Sequence, residues 1–129
     1  MATSLQAAAA ILSSGVDGLG YTTGAGGTVT QATSKSTGVT LNKACGAITM
    51  NGAALASVTA VTFTVTNSAC VVGDLVVVNH SSAGTSGAYL LSVSAIGAGS
   101  FAVTVYNNTL GILSEAIVVS FAVVKGVTA

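Results

Sequence analysis

The sequence predicts an all-β protein: a single antiparallel β-sandwich, jelly-roll-like and of about eight strands, preceded by a short N-terminal arm. Three observations carry this. From Tyr21 onward, short β-like runs are separated by Gly, Asn and Ser clusters at the spacing of a sandwich or barrel. Two runs have strict period-two order: Val61, Phe63 and Val65 alternate with Thr62, Thr64 and Thr66, and Phe101, Val103 and Val105 alternate with Ala102, Thr104 and Tyr106. A third run, residues 116–124, is apolar on both registers and has the length of a strand. Such a strand needs cover on both faces.

Residues 1–12 are Ala-rich and suit a short helix, and residues 13–20, SSGVDGLG, carry three glycines that favour a flexible connection. The expected division is therefore an arm over residues 1–20 and a sandwich domain over residues 21–129. Within the domain the expected strands are residues 27–32, 38–41, 46–50, 60–66, 75–80, 89–96, 100–107 and 116–124. Small, φ-permissive residues fill the intervening turns, as in SSAGTSGA at residues 81–88 and GAGS at residues 97–100. The chain contains no proline. Its edge strands thus lack one common guard against pairing with other chains, and contacts between subunits are expected to cover them.

At 129 residues the chain suits one domain with one core. Half of it is hydrophobic and only 5% is charged, against roughly 25% charged in an ordinary soluble domain. Lys35, Lys43 and Lys125 balance Asp17, Asp74 and Glu115, so the formal charge is zero and self-repulsion cannot keep the protein dispersed. An assembly that covers apolar surface is the expected solution. Nucleic acid is excluded as a ligand by three scattered lysines and no arginine. Membrane insertion is not expected either, because the longest strongly apolar run, residues 116–124, is nine residues and is interrupted by Ser120. The N-terminal segment lacks the basic region of a signal peptide.

Catalytic, metal and cofactor sites are not expected. His80 is the single histidine, and the Ser86 context, GTSG, misses the nucleophile-elbow pattern that a hydrolase on another fold would use. The preferred reading of His80 is an end-of-strand residue beside a loop. Cys45, Cys70, His80 and Asp74 are suitable ligand types without metal-binding spacing. Two cysteines outside any C-x-x-C arrangement are taken as buried free thiols, although pairing stays open. Asn79-His80-Ser81 and Asn107-Asn108-Thr109 match a glycosylation sequon that has meaning only on a eukaryotic secretory route. Tyr21, Tyr89 and Tyr106 are taken as core-edge or interface residues in preference to sugar-stacking ones. The Thr-x-Thr pairs at Thr28/Thr30 and Thr62/Thr64/Thr66 are attributed to β-propensity, since they do not recur at the fixed period of a solenoid.

The stretch GGTVTQATSKSTGVTLN (residues 26–42), followed by GAITMNGAALA (residues 46–56) and LSEAIVVSFAVVKG (residues 113–126), resembles a small β-module of tailed-bacteriophage virion proteins. That module occurs as a capsid decoration, or cement, protein and at the ends of head-fibre and tail-associated chains. The resemblance spans about residues 21–126 and brings no catalytic residues with it. It implies a structural, non-enzymatic role. The expected protein is a homotrimer on the outer surface of the phage head, made in the host bacterial cytoplasm, with the major capsid protein as its partner. A fibre-head or tail-associated receptor-binding module is the alternative, and would use the exposed loop at residues 81–88.

Overall fold

The computed structural model describes residues 18–128, so the predicted helix over residues 1–12 and most of the arm lie outside the described residues. Eight strands follow one another: β1 (Gly26–Thr30), β2 (Val39–Thr40), β3 (Cys45–Thr49), β4 (Ala60–Thr66), β5 (Leu75–Ser82), β6 (Tyr89–Gly97), β7 (Ser100–Asn107) and β8 (Val118–Val124). They form two four-stranded sheets, ordered β1-β3-β8-β5 and β2-β4-β7-β6, which pack against each other as a sandwich. The first is termed sheet A and the second sheet B.

Both sheets are mixed, where the sequence predicts antiparallel pairing throughout. β1 pairs with β3 in parallel, and β2 pairs with β4 in parallel. The cause is the path of the chain. It changes sheet at every connection except β6 to β7, so β1 and β3 both run from one pole of the sandwich to the other and meet as neighbours. Parallel strands need a crossover, and here the intervening strand in the opposite sheet supplies it. Residues 31–38, 50–59, 83–88 and 108–117 consequently gather at one pole, termed the loop pole. Residues 41–44, 67–74 and 98–99 lie at the opposite pole with residues 125–128.

The alternating patterns orient as the sequence predicts. Phe63 and Val65 of β4, Phe101, Val103 and Val105 of β7, and Val119, Phe121 and Val123 of β8 are buried between the sheets together with Ile48, Met50 and Ile117. Phe101 and Phe121 meet across the two layers with ring centroids 5.4 Å apart at 57°. An offset, tilted aromatic pair of this kind adds about 0.5–1.5 kcal/mol beyond the area it buries. The outward register of β8, which the sequence expects to be covered, is only half-buried at Val118, Ser120 and Ala122 and open at Val124. No described segment of the chain lies over it.

Turns in this proline-free chain are fastened by asparagine. Asn51 and Asn67 come just after a strand and Asn107 ends one, and each side-chain oxygen accepts the backbone N–H two residues on, at 2.9 Å in all three cases. These are Asx-turns, in which the side chain imitates a turn of backbone. The amide of Asn107 continues inward and donates to the carbonyls of Leu55, Ala56 and Gly111, tying two loops together. That of Asn67 donates to the Lys43 carbonyl at 2.7 Å. A buried backbone carbonyl without a partner costs about 1–3 kcal/mol, so each asparagine stabilises more than its own bonds.

Gly46 sets the closeness of the parallel β1–β3 pair. A Cβ there would stand 2.5 Å from the backbone oxygen of Gly27 and 2.7 Å from a Leu41 methyl. Gly46→Ala must therefore push two strands apart and is expected to cost about 1–3 kcal/mol. Gly97→Ala, which meets no atom within 4 Å, is expected to change stability by under ~1 kcal/mol. Urea denaturation of both variants checks the contrast.

Candidate functional site

The chemistry-bearing side chains divide between the two poles. At the loop pole the stretch between β1 and β2 folds inward. Gln31 donates through Nε2 to the carbonyls of Lys35 and Thr37, and its Oε1 accepts the Asn51 amide at 3.0 Å. Lys35 is 3% exposed, and its ammonium donates to the carbonyls of Asn51 and Glu115. One cation thus fastens three loops: its own, the one after β3 and the one before β8.

Glu115 carries the fastening outward. Its carboxylate accepts the Tyr89 hydroxyl at 2.7 Å, the Thr85 amide at 3.0 Å and the Thr85 hydroxyl at 2.8 Å. The Tyr89 hydrogen bond, followed by those from Thr85, holds the Glu115 carboxyl below its ordinary range. Burial, then the Glu115 carboxylate, pushes the Tyr89 phenol up. Burial lowers the Lys35 ammonium, and the nearby Glu115 charge offsets part of that. Gly84, in the loop that Glu115 grips, has φ of 72°, and a Cβ there would lie 2.6 Å from Ile117. Only glycine fits both the twist and the contact.

His80 sits beside this cluster, near the end of β5. Its ring meets Tyr89 edge-on at 5.5 Å, and Nε2 lies 2.6 Å from the Ala83 carbonyl. A carbonyl only accepts, so Nε2 is the donor in this contact. Among the described residues no carboxylate hydrogen-bonds either ring nitrogen, and Ser86 makes no hydrogen bond to it. His80, Ser81, Ser82, Ala83, Gly84 and Ser86 line a hollow of about 250 Å³, below the ~300–1,000 Å³ usual for a small-molecule site.

The remaining sequence candidates are dispersed. Asp74 and His80 lie six residues apart along one extended segment, about 20 Å at strand rise. Asp74, at the opposite pole, pairs with Lys125 at 2.7 Å and accepts the Val71 amide at 2.9 Å. The Lys125 hydrogen bond, then that of Val71, lowers the Asp74 carboxyl. Cys45 and Cys70 are both free; Cys45 is half-buried on the outer side of β3, and Cys70 is buried, which raises its thiol pKa. Among the described residues no three His, Cys, Asp or Glu side chains come close enough to hold one ion. No helix there is long and apolar enough to cross a membrane.

The broad faces are the larger feature. Every described Lys, Asp and Glu lies at a pole: Lys35 and Glu115 at one, Lys43, Asp74 and Lys125 at the other. The outer face of sheet B presents Thr40, Thr62, Thr64, Thr66, Ser92, Ser94, Ser100 and Thr104, with Thr62 and Thr104 hydrogen-bonded at 2.8 Å. Tyr106 shares that face. The outer face of sheet A is different, with Leu75 and Val77 of β5 exposed beside Val124, Ala122 and Ala47. Reading the sequence singled out the Thr-x-Thr alternation but missed Gln31, Lys35 and Glu115. The one local signal that could have shown polar side chains turning back on the loops is the Asn-x-Ala and Asn-x-Thr pattern at Asn51, Asn67 and Asn107, which was not read as a turn.

Two outcomes follow for these polar clusters. Lys35→Met leaves the Asn51 and Glu115 carbonyls unpaired, and a loss of about 2–4 kcal/mol is expected in urea denaturation, with secondary structure unchanged. Acid will weaken the fold. Glu115 and Asp74 both have folded pKa values below their unfolded ones, so their contribution is complete above the unfolded values of about 4.3 and 3.9 and is lost as pH falls through the folded ones. The urea midpoint should hold from neutrality down to that range and then drop, with a shallower fall in Glu115→Gln.

Comparison of this chain with known protein families, with curated proteins and with solved structures finds no match.

Proposed function

We propose that this is a structural virion protein: a capsid decoration protein that binds the outer surface of a phage head as a homotrimer and stabilises the lattice of the major capsid protein. The observation that carries this reading is the segregation of ionic groups to the poles, which leaves two broad faces with no charge. An isolated soluble subunit gains little from such faces, whereas an assembled one can cover the more apolar of the two and leave the hydroxyl-bearing one hydrated. The three phrases that resemble the virion module lie on β1 to β2, on β3 with its following loop, and on β8. They supply three of the four strands of sheet A, including the parallel pair β1–β3, and one strand, β2, of the other parallel pair.

In this reading the protein works by contact. Exposed apolar side chains stand at both poles, Val71, Val72 and Val127 at one and Val58, Leu110 and Ile112 at the other, and these supply contacts to the shell. Three equivalent contacts raise residence on the lattice through effective concentration, so modest single-site affinities clamp neighbouring capsomers. The neutral hydroxylated face of sheet B remains in water. His80 has a structural place, with Tyr89 on one side and the Ala83 carbonyl on the other.

The test is to mix purified protein with expanded, undecorated heads and to count bound copies and image their positions. Saturable binding spread over the whole shell is expected, and His80→Ala should bind equally well. Absence of binding would overturn the proposal, and label confined to the tail or a single vertex would replace it with the receptor-binding reading.

A further inference from the structure

The two outer faces differ in a way that assigns them separate partners. Cross-strand rows on sheet B are hydroxyl-bearing, as in Ser92–Thr104–Thr62 and Ser100–Thr66–Thr40, with one large exposed aliphatic, Leu90, beside Tyr106 at the loop-pole end. Rows on sheet A run Gly26–Cys45–Ala122–Val77 and Thr28–Ala47–Ser120–Asn79, with Val124 and Leu75 adjacent at the end of β8. The end of sheet A away from the loop pole is thus built of small and aliphatic residues, while Thr30, Thr49 and Asn79 stand toward the loop pole. Leu75 is 60% exposed and Val77 52%. No ionic side chain interrupts the surface, so a copy of the same chain brings no like charge against it.

The strand edges point the same way. β5 is an edge strand of eight residues with no proline, lysine or acidic side chain, regular from Leu75 to His80 and bulged only between His80 and Ser82, and β1 forms the other edge of the sheet. Such edges present unpaired backbone groups and usually carry a guarding lysine or proline.

We infer that a second copy of this chain occupies the outer face of sheet A, with the β5 edge of one subunit against the β1 edge of the next. The inference rests on the trimeric reading above and names the surface that builds the trimer. Contacts around a threefold axis are heterologous, so two different surfaces must meet, and sheet A has two different edges. Size supports the inclusion of both. Four strands about 4.8 Å apart, each about 20 Å long, give a flat footprint on the order of 400 Å². A standard interface takes about 800 Å² from each partner, so the face alone falls short and the edges are needed to complete the contact. β8 then acquires the second cover that its doubly apolar sequence calls for.

The test is sedimentation velocity on the full chain at micromolar concentration, with circular dichroism to verify the fold. Wild type should sediment as a trimer. Val77→Lys and Ala47→Glu, both outward on sheet A, place an unpaired charge in the contact and should weaken association at least about a hundredfold, yielding monomers. Thr64→Lys, outward on sheet B, should remain trimeric. A monomeric wild type overturns the inference, as do folded Val77→Lys and Ala47→Glu trimers or a dissociated Thr64→Lys. Amide hydrogen exchange on wild type, compared between concentrated and diluted samples, decides the matter should the variants not fold: faster exchange on dilution in β5 and β1 supports the inference, and acceleration confined to sheet B overturns it. Monomeric wild type that still coats heads would sink this interface and leave decoration standing, whereas a sheet A trimer that ignores heads would do the reverse.

Discussion

The buried ammonium of Lys35 is the constraint from which the loop pole is built. An isolated buried charge is expensive to desolvate, and it persists here because two backbone carbonyls from separate loops accept its protons while Glu115 stands nearby. Those carbonyls belong to segments that have no ladder partner at that point. The lysine therefore replaces secondary structure where it stops. Gln31 performs the neutral version of the same task one turn of loop away. Among the described residues no buried side-chain polar atom lacks a hydrogen-bond partner, so a chain with hardly any ionic groups spends them on backbone satisfaction and leaves its faces bare.

Much of the fold was legible in the sequence because a half-buried strand imposes a period of two. Val61 to Thr66 and Phe101 to Tyr106 declare both the strand and which residues point inward. The pairing partners were less legible. Nothing in GGTVT states that it will lie parallel to CGAIT and not antiparallel to a neighbour in sequence, because that follows from where the loops cross between sheets. The loop-pole cluster was hidden for a related reason. Lys35 looks like a surface residue in a Ser/Thr-rich stretch, and its burial depends on carbonyls 16 and 80 positions away. Glu115 and Tyr89 are likewise brought together only by the closed sandwich. The asparagines were partly legible, since Asn followed by a small residue after a strand is a local turn signal that requires no distant partner.

The two poles use the same means with different members. Asp74 and Lys125 clamp the tail to the loop after β4 as Glu115 and Thr85 clamp the loop after β5. In each case a carboxylate accepts a backbone N–H together with a side-chain donor. The fastening of the loops is thus independent of the outward strand residues, which are mostly hydroxyl-bearing on sheet B and aliphatic on the β5 side of sheet A.

The alternation of the chain between layers has a kinetic meaning. Of the six strand pairings, only β6 with β7 joins neighbours in sequence, so that single hairpin can close early and cheaply. Every other ladder must wait until distant segments have found each other, and the loss of chain entropy on those closures falls before any reward from burial. With no prolyl bond to isomerise, refolding of this domain is governed by topology, and the β6–β7 hairpin is the place from which it can start.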